Sequence, residues 1–162
     1  MEYIDNIDRY IRVDFIEQDD VLCKISSLIT DYSAIHVGIQ VEDWYLLPIR
    51  GRQAQWRQQE PMNRLLRGQI KDSFLICPCY FDPSLVSMLG HGFKTSPLWW
   101  IGLTEPFHYL NDAGINVPLP ERNTCAEAVA RMLRSMGLDV KARSARFLYR
   151  ELMTNDRAIH VG

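Results

Sequence analysis

The sequence predicts an α+β domain in which a small antiparallel sheet packs against one cysteine-bearing helix. Three patterns carry that expectation. From Ile35 to Val41 apolar and polar residues alternate, Glu42-Asp43 makes a turn, and Trp44 to Ile49 returns as the partner strand of a hairpin. From Ala126 to Met136 the apolar residues return every three or four positions, as on one side of a helix. Phe74 to Phe81 and Pro97 to Leu103 are apolar runs of strand length.

Composition sets the frame. With 47% hydrophobic content and a formal net charge of −2 over 162 residues, the chain is read as one compact domain spanning 1–162, its core lying at about 20–138. Such balanced charge points to no nucleic-acid partner. No apolar run approaches a membrane span, and Met1-Glu2-Tyr3-Ile4-Asp5 lacks a signal-peptide pattern. A cytoplasmic site of synthesis follows, with delivery by a phage particle or another machine if the protein works elsewhere. The 4 cysteines are too few and too irregularly spaced for a disulfide framework.

In chain order, Ile4, Ile7 and Ile11 suggest a turn of helix, and Ile11-Arg12-Val13-Asp14-Phe15 alternates like a half-exposed strand. A helix starts at Asp19 or Asp20 and carries Val21, Leu22, Ile25, Leu28 and Ile29 on one side, ending near Asp31-Tyr32-Ser33. The hairpin follows, with Val37, Ile39 and Val41 opposite His36, Gly38 and Gln40, and Pro48 edging or breaking its second strand. Gly51 to Gly68, basic and rich in glutamine, reads as a long loop with a short helix at Met62-Asn63-Arg64-Leu65-Leu66. Phe74 to Phe81 is a buried strand bulged at Pro78, and Asp82-Pro83 opens a short helix through Leu89. His91 falls in the loop after it. Pro97 to Leu103 is read as a buried strand whose Trp99 and Trp100 fill core or line a groove, and Glu105-Pro106 turns the chain. Asn111 to Arg122 is a loop. A helix opens at Cys125 under an Asn123 or Thr124 cap and stops at Gly137, and a last helix covers about 144–153 before the end frays.

Cys125 sits in the first turn of its helix, where unpaired N–H groups and the dipole favour a thiolate. It is a nucleophile in one reading and a small buried hydrophobe in the other. His36 at the head of its strand is the candidate base or a satisfied structural residue, and Gly38 leaves room beside it on the same face. Cys77 and Cys79 would share a strand face, but a structural zinc site wants four ligands and no second pair is present. No metal and no cofactor are therefore expected.

The order of these motifs carries a resemblance. Ser33-Ala34-Ile35-His36-Val37-Gly38-Ile39 on a strand, then Asn123-Thr124-Cys125-Ala126-Glu127-Ala128-Val129 opening a helix, resembles the circularly permuted papain-like hydrolases. That group is related to the NlpC-type peptidoglycan peptidases and includes lecithin:retinol acyltransferase-like enzymes and small bacterial and phage cysteine hydrolases. The resemblance implies a permuted papain-like fold with Cys125 as nucleophile and His36 as base. It further implies thioester chemistry on a peptide, peptidoglycan or acyl substrate, with the oxyanion held by N–H groups at the helix start. Two departures stand out. Pro48 falls near the place of the family's polar orienting residue, and Thr124 is inserted between Asn123 and Cys125. Two functions from different classes follow: a thiol-dependent hydrolase or acyltransferase, or a catalytically silent papain-like module that binds a protein partner. The enzyme reading expects Cys125 Sγ and a His36 ring nitrogen within hydrogen-bond reach.

Overall fold

Strand β1 (Ile11–Glu17) forms the middle of the sheet and pairs antiparallel on both sides, with β2 (Ala34–Val41) and with β5 (Ile70–Ile76). The structure is a computed structural model that describes residues 11–17, 19, 21–47, 55–58, 64, 69–80, 98–118 and 124–162, with only the main chain of 22, 47, 55–58 and 98–104. The six-stranded antiparallel sheet runs β4-β3-β2-β1-β5-β6, where β3 is Trp44–Leu47, β4 is Gln55–Gln58 and β6 is Ala158–His160. Four helices are described: α1 (Val21–Thr30), α2 (Leu98–Asp112), α3 (Cys125–Ser135) and α4 (Ala145–Thr154).

The two ends of the alternating pattern explain the layers. Val13, Phe15, Val37, Ile39, Phe74 and Ile76 share one face of the sheet, and α3 and α4 close over it with Ala126, Val129, Met132, Leu133, Leu148 and Leu152. Each large aliphatic or aromatic side chain so buried stabilises the fold by about 1.5–3 kcal/mol. Phe15 meets Tyr32, Phe74 and Tyr149 edge-on. The other face is polar at its centre. The buried Asp14 accepts from Arg12 Nε at 3.0 Å, Tyr45 Oη at 2.8 Å and Ser73 Oγ at 2.6 Å. This is why β1 is buried on both faces rather than half exposed: its outward carboxylate is enclosed by three donors.

Several expectations are corrected. Gln55–Gln58, read as loop, pairs with β3 as β4. Pro97 to Leu103, read as a buried strand, belongs from Leu98 onward to α2, which also runs through Pro106 instead of turning at Glu105-Pro106. Aromatic richness fits either structure over a short run, and length decides between them. The end of the chain does not fray: β6 pairs with β5, and His160 Nε2 lies 2.9 Å from Asp72 Oδ1. In α1 the apolar stripe faces outward, with Val21 71%, Ile25 50% and Leu28 83% exposed, while Cys23, Ser26 and Thr30 are buried. Small side chains let α1 lie close to its neighbours, and Thr30 Oγ1 is satisfied within its own turn by the Ser26 carbonyl. Gly137, with φ 89°, ends the α3 segment, and a Cβ there would stand 2.7 Å from Cys79 Cβ. The short helix at Asp82 to Leu89, His91, Pro48 and the side chains of Trp99 and Trp100 lie outside the described residues, as does the helix at Met62 to Leu66 apart from Arg64.

No described helix is long and apolar enough to cross a membrane.

Candidate functional site

Cys125 is the first residue of α3, and Thr124 is the cap: its Oγ1 accepts the Glu127 N–H at 3.1 Å and donates to the Arg143 carbonyl at 3.0 Å. The helix dipole favours a thiolate at this position, but burial wins. At 1% exposure the thiol is pushed up to about 12, chiefly by desolvation and further by the charge of Glu105, against the opposing pull of the Val37 N–H. It is a protonated thiol at neutral pH. Strand pairing explains where it sits. Among the described residues β3 pairs with β2 from Ile39 to Val41 and not with the residues of β2 before Ile39. Cys125 meets β2 there: the Val37 N–H donates to Sγ at 3.3 Å, and Sγ lies 3.8 Å from the Ile35 carbonyl.

Those contacts bracket His36 without including its ring. Adjacent residues of a strand point to opposite faces, so the His36 side chain leaves β2 on the side away from Val37, which packs in the core with α3. The imidazole is 2% exposed, and its Nε2 hydrogen-bonds Cys23 Sγ at 3.6 Å. The expected hydrogen bond between Cys125 and His36 is therefore replaced by two separate contacts, Cys125 with the main chain of β2 and His36 with Cys23. Nor does Gly38 leave an open space beside the imidazole. The Tyr45 ring fills it, close enough that a Cβ on Gly38 would stand 2.5 Å from Tyr45 Oη.

Cys23 lies in the first turn of α1, and no role was read for it in the sequence. It lines a cavity of about 360 Å³ together with Glu17, Asp19, Lys24, Ser33 and Gln69. The spacing of Cys23 and His36 across the α1–β2 connection carries no recognisable motif, so only the fold brings them together.

A second polar set lies under the start of α4. Glu105, His108 and Asp112 recur at helical spacing on one side of α2. Glu105 Oε1 accepts the Ala145 N–H at 2.5 Å, and Asp112 Oδ2 accepts the Arg143 and Ser144 N–H groups at 2.9 and 2.8 Å. These carboxylates sit where the N-terminus of a helix leaves donors unpaired. Burial pushes Glu105 up to about 8, and burial lowers His108, whose two ring nitrogens have no hydrogen-bond partner among the described residues. The sequence signal for this set was the i, i+3, i+7 spacing, and it was masked by reading the run as strand and turn.

Cys77 and Cys79 follow β5. The Cys77 N–H donates to the Arg157 carbonyl, and Cys79 Sγ to the Gly137 carbonyl at 3.5 Å. Among the described residues no group of three or more metal-ligand side chains comes together. No protein-family model, no curated protein and no solved structure matches the chain.

Proposed function

We propose that the protein is a thiol-dependent acyl-transfer enzyme, a hydrolase or acyltransferase of amides or esters on a permuted papain-like plan, with His36 as its base. One observation carries this reading. A buried imidazole on the second strand is hydrogen-bonded to the Cys23 thiol at 3.6 Å, and the Cys125 thiol meets the main chain of the same strand on either side of His36. Imidazole beside thiol is the arrangement that makes a sulfur nucleophile at neutral pH, because the ring takes the thiol proton as sulfur attacks a carbonyl. The resemblance assigns the attack to Cys125 and suggests a peptide or peptidoglycan cross-link as substrate.

The test is release of nitrophenolate from p-nitrophenyl acetate by the full chain. Release above the uncatalysed rate in the native protein, lost in His36→Gln at an unchanged melting temperature, supports acyl transfer. Release that survives His36→Gln unchanged removes His36 as base.

The second reading, a silent papain-like module that binds a protein partner, is favoured by the state of Cys125, a buried thiol pushed up to about 12. It predicts no thioester on any cysteine.

A further inference from the structure

Cys23 is the thiol that the fold gives to the buried imidazole. It sits in the first turn of α1, where main-chain N–H groups and the helix dipole favour the thiolate, with Sγ 3.6 Å from His36 Nε2. It is 2% exposed and lines a cavity whose volume of about 360 Å³ is that of an ordinary small-molecule site. The walls carry both signs of charge: the Glu17 and Asp19 carboxylates and the Lys24 ammonium, whose Nζ lies 2.6 Å from Asp19, with the polar side chains of Ser27, Ser33 and Gln69. A polar lining with carboxylates and an ammonium fits a small zwitterion better than a lipid or a polyanion.

We infer that Cys23 is the nucleophile served by His36, and that it acts on the amide or ester carbonyl of a small zwitterionic, peptide-like substrate held between α1 and the adjoining ends of β1 and β2. The inference rests on the acyl-transfer reading and reassigns its nucleophile. His36 Nε2 takes the thiol proton while Sγ bonds to the carbonyl carbon. The carbon–nitrogen or carbon–oxygen bond then breaks, and the leaving amine or alcohol departs with the proton from the imidazolium. Water attacks the thioester, gives a proton to His36, and the carbon–sulfur bond breaks to return the thiol and a carboxylic acid.

The experiment is to treat the full chain with p-nitrophenyl acetate, quench in acid, and find the acetyl group by peptide mass spectrometry. In parallel, iodoacetamide labelling is followed between about pH 6 and 9, where ordinary thiols titrate. Acetyl on Cys23, and labelling of Cys23 at neutral pH that slows about a hundredfold in His36→Gln, is the expected result. Glycylglycine should protect Cys23 from iodoacetamide, and failure to protect overturns the zwitterion assignment. Acetyl on Cys125 with Cys23 bare overturns the inference and leaves the acyl-transfer reading standing. Acetyl on neither thiol, with no nitrophenolate released above buffer, overturns both. If His36→Gln does not fold, Cys23→Ser decides: release that falls to background supports the inference, and release that is unchanged overturns it.

Discussion

The Tyr45 ring lies flat enough on Gly38 that a Cβ built there would stand 2.5 Å from its Oη and 2.6 Å from its Cε1. The phenol crosses β2 at this point to donate to Asp14 Oδ2 at 2.8 Å, and burial raises its pKa far above the ordinary value. Gly38 is thus the residue that lets the hairpin close over the buried carboxylate of β1.

Gly38→Ala forces the ring or the strand to move. We expect a loss of about 1–3 kcal/mol in urea unfolding, the usual cost of overpacking a filled site. A midpoint equal to that of the native chain would show that the ring yields without cost.

The buried Glu105 makes stability depend on pH. Its carboxyl is raised from 4.5 to about 8, chiefly by burial and secondarily by Asp112, against the Ala145 N–H. The unfolded chain gives up this proton near its ordinary value and the folded chain holds it, so stability is complete below about pH 4.5 and is lost as pH rises through about 8. The loss is of the order of a few kcal/mol. Glu105→Gln keeps an acceptor for the Ala145 N–H and carries no charge. Urea unfolding near pH 5.5 and pH 8.5 should therefore show a fall in the native chain and a flatter profile in the variant, on the scale of about 1.4 kcal/mol per unit of pKa shift. Equal slopes in the two would exclude Glu105 as the source.

Cys125 should be silent toward iodoacetamide while the chain is folded. Its thiol is pushed up to about 12, so at neutral pH the thiolate is roughly a thousandfold scarcer than in the unfolded chain. Labelling of the Cys125 peptide in buffer and in concentrated urea measures this ratio. Equal rates would mean that the first turn of α3 opens freely, and would return Cys125 to the centre of the chemistry.

Periodicity made much of the fold legible. The Cys125 helix was readable to its cap and its stop, because Ala126, Val129, Ala130 and Leu133 all bury on one side and Gly137 takes a left-handed φ of 89°. The hairpin was readable because Glu42-Asp43 turns the chain between an alternating run and an apolar one, and β2 pairs with β3 across those two residues at Val41 and Trp44. Where period was short or contradictory the reading failed. Leu98 to Leu103 has the composition of a strand and the structure of a helix, and Gln55–Gln58 is a polar strand with no apolar alternation to mark it.

What the sequence determined by itself is therefore local: that the chain turns at Glu42-Asp43, that Cys125 opens a capped helix, and that His36 sits on a strand. Which groups meet was decided by tertiary structure alone. Strand alternation sends the His36 ring to the face away from α3, and Cys125 finds its partner in the main chain of β2 at Val37. The outward turn of the α1 stripe brings Cys23 inward to the imidazole. Each of these outcomes depends on how one element packs against another, and the spacing of residues within a single element does not carry that information.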